Sequence, residues 1–140
     1  VDSCMRLDEI CSLRWADVDL DAGTVIVRLR KHPKTKTDQV VPLMGESQAI
    51  IEQQPRTHER VFPFGTDSVG NGFRRICQHL GIVDLHFHDL RHEGISRLFE
   101  RGYQIQEVAM VSGHRDWKSL KRYVHLRPVE LAKKERGRKR

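Results

Sequence analysis

A chain of 140 residues is long enough for one domain with a modest core, and a formal charge of +6 with a pI near 9.5 directs it towards an anionic partner such as nucleic acid. Three cysteines, Cys4, Cys11 and Cys77, are an odd number at no disulfide-framework spacing, which argues against a secreted scaffold and for a reducing cytoplasm. No stretch reads as a signal peptide, and no apolar run approaches the roughly 20 residues of a membrane span.

Met5, Ile10, Leu13 and Trp15 recur at near-helical spacing and predict a short helix over 5–15. The Asp-rich run Asp17 to Gly23 is turn chemistry. Residues 24–29 are β-branched and alternate Val25, Val27 and Leu29 against Ile26 and Arg28, which predicts a strand. Residues 39–43 read as its partner, ended by Pro42, which cannot donate to a ladder. The stretch 31–38 between them is then an exposed basic hairpin tip.

Helices dominate the remainder. One is predicted over about 45–54 with Ala49, Ile50 and Ile51 inward. Another covers about 68–80, with Val69, Phe73, Ile76 and Leu80 on one stripe and Gly81 as its stop. A third runs over 88–101, carrying Leu90, Ile95, Leu98 and Phe99, and a fourth over 104–112, closed by Gly113. Asp116 is placed to cap a helix through Tyr123. Pro128 suits the first turn of a last helix over 129–135, leaving 137–140 as a basic tail. The fold class is α+β: mostly helical, with one small antiparallel β-sheet near the N-terminus.

One constellation carries chemistry. His88-Asp89-Leu90-Arg91 is followed by Gly113-His114, and Tyr123 lies nine residues after that histidine. Arg6 sits in Met5-Arg6-Leu7-Asp8-Glu9, and Lys34 and Lys36 lie in the basic turn. Guanidinium forks hold phosphate oxygens, histidine and lysine move protons, and a tyrosine hydroxyl can attack phosphorus. Each piece alone has an ordinary structural reading; the set in this order points to phosphodiester chemistry.

Met5 through Val18 resembles the first arginine box of the tyrosine recombinase (phage integrase) family, in its C-terminal catalytic domain. Phe87-His88-Asp89-Leu90-Arg91-His92 resembles that family's HxxR box, and Ser112-Gly113-His114 with Arg122-Tyr123-Val124-His125 resembles its third box and nucleophile. The basic hairpin followed by Val40-Val41-Pro42-Leu43 resembles the segment bearing the family's lysine. The first arginine box begins at the N-terminus of the chain. The resemblance therefore implies a catalytic domain spanning 1–140 without its first helix or the upstream DNA-clamping domain.

The resemblance further implies a site-specific recombinase of a phage or other mobile element, cutting and rejoining double-stranded DNA through a 3′-phosphotyrosine. Its catalytic set is Arg6, Lys36, His88, Arg91, His114 and Tyr123, with Lys34 the rival to Lys36 and Tyr103 the rival nucleophile. It implies no metal and no cofactor, a cytoplasmic location, a monomer off DNA and a homo-tetramer on it. Glu9, one turn after Arg6, reads as the partner that orients it. His92 and His125 read as DNA-contacting or solvated and stand outside the catalytic set. Cys77, His79, His86, His88 and His92 fit no closed zinc spacing. Two other functions share these residues: a DNA-binding module of the same fold that no longer cuts, and a type IB topoisomerase.

Overall fold

Three antiparallel strands, β1 (Val18–Asp19), β2 (Thr24–Lys31) and β3 (Lys36–Pro42), form a sheet in the order β1-β2-β3. The computed structural model describes residues 1–31, 36–124 and 128–138, with the backbone alone at Leu29, Lys31 and Lys36. Around the sheet stand α1 (Leu7–Ser12), α2 (Ser47–Glu52), α3 (Thr66–His79), α4 (Asp89–Glu100), α5 (Ile105–Ser112) and α6 (Pro128–Arg138). Two 3-10 helices, Trp15–Asp17 and Trp117–Tyr123, complete the described elements. No helix among the described residues is long and apolar enough to cross a membrane.

Two apolar clusters hold the fold. Met5, Leu13, Val25, Val27, Val41, Ile51 and Val61 pack beneath the sheet. Cys4, Ile95, Leu98, Val108, Ala109, Val111 and Leu120 join α4, α5 and the second 3-10 helix, with Tyr103 and Tyr123 packed against them. Each fully buried aliphatic side chain contributes about 1.5–3 kcal/mol of transfer free energy. Cys4 and Met5 are adjacent yet belong to different clusters, and Cys4 takes a positive φ of 51°. The chain thus crosses the seam between the clusters, and Arg6 is the next residue along it.

Several boundaries differ from the sequence expectation for identifiable reasons. The first helix is only Leu7–Ser12, because Arg6 (φ −74°, ψ 158°) and Leu13 (φ −63°, ψ 127°) are both extended. Met5, Leu13 and Trp15 supplied the apparent helical period from outside it. The Asp-rich turn also contributes β1, whose Val18 pairs with Val25. In α2, Ser47 and Ile51 face inward while Ala49 and Ile50 face out, since three consecutive residues at 100° steps cannot share a face. In α3, Cys77 is the buried residue, and Ile76 and Leu80 of the expected stripe are 60% and 63% exposed. The segment before Tyr123 is 3-10 rather than α, although Asp116 caps it as expected, its Oδ1 accepting from the Lys118 N–H at 2.9 Å. The last helix runs on through Gly137 to Arg138, taking in half of the expected tail.

The difference that matters most is a bulge in β2. Val27 pairs with Gln39 but Arg30 pairs with Thr37, so β2 holds one more residue than β3 in that interval. A one-residue offset moves every later side chain to the opposite face. Val25 and Val27 are buried and Arg28 is exposed, as simple alternation requires. Arg30 would share the exposed face of Arg28, yet it is 2% exposed. The bulge turns an arginine into the interior, beside α1.

Candidate functional site

The site is built outward from Glu9, which is 7% exposed. Its Oε1 accepts from Arg6 Nη1 at 3.1 Å and from Arg30 Nε at 3.0 Å. Oε2 accepts from the Arg6 backbone N–H at 2.9 Å and from Arg30 Nη2 at 3.3 Å. One carboxylate therefore orients the Arg6 side chain, closes the first turn of α1 and pairs Arg30 through both oxygens. Arg30 Nη1 also donates to the Val111 carbonyl at 3.1 Å, fastening β2 to the last turn of α5. Burial lowers the Arg30 pKa, and the Glu9 carboxylate works in the opposite direction.

Arg91 lies on the buried face of α4, 4% exposed. Its Nη1 donates to the Cys4 carbonyl and its Nη2 to the Ser112 carbonyl at 2.7 Å. Those two anchors belong to the segment before Arg6 and the segment before His114, so one guanidinium draws both boxes together. Burial pushes the Arg91 pKa down to about 10, with the charge of Arg6 adding to the effect, and the group stays cationic at neutral pH. His114 Nδ1 lies 2.7 Å from Ser112 Oγ. Burial first, then the charges of Arg91, Arg6, Arg30 and Arg122, push its pKa down to about 4. His114 is thus a neutral imidazole at neutral pH. With Ser112 Oγ–H donating to Nδ1, its hydrogen sits on Nε2.

Gly113 makes this closeness possible. It ends α5 with φ 79°, and a Cβ there would run into the Arg30 guanidinium. Gly113→Ala therefore combines a left-handed penalty of about 1–2 kcal/mol with displacement of a fully bonded buried arginine. A denaturant melt is expected to show a loss larger than that penalty alone; a loss under ~0.5 kcal/mol contradicts the packing described.

Tyr123 ends the second 3-10 helix, with its ring stacked on Phe99 at 6.4 Å between centroids and Arg122 Cζ 5.0 Å from its centre. Its hydroxyl meets Nδ1 of His92, whose ring stacks on the tyrosine at 6.1 Å. His88, at the N-cap of α4, is exposed and turns its ring edge-on to His92 at 5.0 Å. The structure thus gathers Arg6, Arg91 and His114 within electrostatic reach of one another, and sets Tyr123 and His88 on either side of His92. Lys36 opens β3, paired with Lys31, but its side chain lies outside the described residues, as does all of Lys34. The neighbouring Thr37 accepts from Arg115, which links the start of β3 to the His114 loop. Tyr103 packs against the helical cluster under Arg101, whose Cζ is 5.4 Å from its ring centre. Among the described residues no group of three or more His, Cys, Asp or Glu side chains could hold a metal ion.

Residues 1–130 match the phage integrase family. The chain belongs to that family. It is 40% identical over 144 residues to the shufflon-specific DNA recombinase of Escherichia coli, a match covering all of this chain and 36% of that protein. Against the tyrosine recombinase XerC of Xanthomonas axonopodis pv. citri, 32% identity over 143 residues covers 94% of this chain and 46% of the relative. The chain therefore spans between about a third and a half of the length of these curated relatives. The Tn1549 transposon integrase, solved in complex with transposon right end DNA, has a TM-score of 0.74 at 16% identity, covering 98% of this chain and 55% of that one. The catalytic domain of bacteriophage HP1 integrase has a TM-score of 0.67 at 22% identity, covering 94% of this chain and 73% of that one. At those identities the likeness is one of fold.

Two side chains at this candidate site lie outside the set that the sequence predicts. Arg30 lies one residue past the strand expected over 24–29, and no local residue signals the bulge that turns it inward. For His92 the sequence predicts a solvated or DNA-contacting side chain. Its adjacency to Arg91 was visible, but its contact with a residue 31 positions away was not. Glu9 orients Arg6 as expected, while its bond to Arg30 was unforeseen.

Proposed function

We propose that this integrase-family chain is the strand-transfer centre of a site-specific recombinase acting on double-stranded DNA. The observations that support this best are the convergence of Arg6, Arg91 and neutral His114, and a Tyr123 hydroxyl that faces a second imidazole, that of His92. Tyr123 Oη attacks the scissile phosphorus, forming a 3′-phosphotyrosine and releasing a 5′-hydroxyl. A 5′-hydroxyl from the partner strand then attacks that phosphotyrosine and restores the tyrosine, so no external energy source is needed. Arg6 and Arg91 hold the non-bridging oxygens, and each such donor is worth roughly 3–4 kcal/mol of barrier. His114 donates Nε2–H to one of those oxygens, and His88 adds a contact to the phosphate from the start of α4.

The charge balance agrees with this assignment. Arg6, Arg30 and Arg91 against Glu9 leave two positive charges in the unliganded site, and their mutual repulsion contributes to the lowered Arg91 pKa. A phosphodiester relieves one, and a transition state that has gained a phenolate oxygen relieves both. The leaving 5′ oxygen needs a proton. We assign that task to Lys36, from the mouth of the hairpin, with Lys34 the alternative. By the same reading the protein works in the cytoplasm, as a monomer off DNA and a tetramer on it.

The decisive experiment offers the protein nicked duplexes cut from the DNA flanking its gene and looks for a covalent adduct. No adduct on any of them leaves only a DNA-binding module; relaxation of supercoiled plasmid without a specific site favours a topoisomerase. Binding to duplex is expected to fall steeply with salt, by about 10³-fold or more between roughly 50 and 200 mM, since phosphate contacts dominate. Salt-insensitive binding contradicts the assigned interface.

A further inference from the structure

We infer that His92 is itself a catalytic residue of this centre, taking the proton from the Tyr123 hydroxyl as that oxygen attacks phosphorus. The inference rests on Tyr123 being the nucleophile. His88, one turn earlier on the same helix, is the histidine that the HxxR box suggests for this task. Its exposed ring reaches only the edge of His92, with centroids 5.0 Å apart. His92 lies between the two, and its Nδ1 is the atom that meets the tyrosine oxygen.

The geometry selects a tautomer. For Tyr123 O–H to donate to Nδ1, that nitrogen must carry a bare lone pair and the ring hydrogen must sit on Nε2. Arg122 Nη2 stands 3.5 Å from the same Nδ1, another donor aimed at a lone pair. The ionisable groups facing His92 are His88, Asp89 and Arg91 from α4, and Arg122 and Tyr123 from the 3-10 helix. Burial, then Arg122, His88 and Arg91, lower the His92 pKa, with Asp89 alone opposing them. At neutral pH the ring is therefore free base and able to receive a proton.

During cleavage the Oη–H bond breaks as Nδ1–H forms, the new Oη–P bond replaces the P–O5′ bond, and O5′ takes a proton from the general acid. During rejoining the partner strand's 5′-hydroxyl gives its proton back to the deprotonated general acid as its new O5′–P bond replaces Oη–P, and the imidazolium returns its proton to Oη. The partly buried ring stays fixed by its stack on Tyr123, 26° from coplanar at 6.1 Å. Proton transfer by a positioned group of this kind is worth about 10²–10⁴-fold in rate.

The test separates proton transfer from simple positioning. His92→Asn places an amide oxygen near the Nδ1 position, so it still accepts the hydroxyl hydrogen bond but cannot take the proton at neutral pH. Single-turnover adduct formation is measured on a nicked duplex with an ordinary scissile phosphate and on one with a 5′-bridging phosphorothiolate, whose thiolate leaves without a proton. His92→Asn is expected to be slower by ~10²-fold or more on both substrates, with the deficit shrinking at alkaline pH as hydroxide takes the proton in place of the missing base. Lys36→Ala serves as the contrast, because sulfur restores a missing general acid. If His92→Asn does not fold, His92→Ala is assayed with and without added imidazole: recovery of the rate by imidazole is expected, and a rate within about threefold of the parent without it overturns the inference. Rates within about threefold of the parent, or rescue of the variant by sulfur, overturn the inference while the parent's adduct leaves the recombinase reading standing. Absence of an adduct with the parent itself overturns both.

Discussion

Tyr123→Phe is expected to abolish the covalent protein–DNA adduct while leaving duplex affinity within about twofold, because the substitution removes one oxygen and no charged DNA contact. The ring keeps its stack on Phe99, its contact with Arg122 and its place against the helical cluster, so the 3-10 helix survives. The lost hydrogen bond to His92 costs about 1 kcal/mol of stability, too little to unfold the domain. A gel-resolved trap on a nicked duplex reads the chemistry, and peptide mapping of the parent adduct locates the linkage. Attachment at Tyr103, or an adduct persisting in Tyr123→Phe, sinks the assignment. Tyr103 is poorly placed for that role, since it packs against the core under Arg101.

Glu9→Ala is expected to have the largest effect on stability. Arg30, with a side chain 1% exposed, then keeps its charge in the interior without its carboxylate. Breaking a buried pair from one side costs about 3–5 kcal/mol, a large part of the roughly 5–15 kcal/mol that holds a domain together. Arg6 loses its orienting partner at the same time, so cleavage falls with stability. The double variant Glu9→Leu with Arg30→Met removes both charges and is expected to regain most of the lost stability, but not cleavage. Urea melts of the two variants, with adduct assays beside them, check this. A Glu9→Ala protein within about 1 kcal/mol of the parent shows that the pair is not a structural centre.

Much of this protein could be read from its residues in order. The β-branched run 24–29, the apolar periods of α4 and α5 and the glycines at Gly81 and Gly113 signal elements through local physics, and φ values of 67° and 79° bear the glycines out. The arginine, HxxR and SGH boxes with Tyr123 were legible because their residue types and order are specific together. Arg28 and Arg30 show where that reading stops. Both sit in one strand two residues apart, and only the bulge between Val27 and Arg30 exposes one and buries the other. Local periodicity cannot report a register change, because the pairing partner on β3 decides it.

The residues in order determined the fold class, the family, the basic character of the chain and the residue types from which phosphoryl chemistry is proposed. The tertiary structure alone decided which groups meet. It brought Arg91 against the backbone carbonyls of Cys4 and Ser112, gave Glu9 a second arginine and set His92 rather than His88 against the Tyr123 hydroxyl. Those contacts join residues 21 to 87 positions apart. They exist because Cys4 and Met5 commit to different apolar clusters and Gly113 admits Arg30 at the seam. Local preference places side chains on the faces of helices and strands; the burial of one element against another chooses their partners.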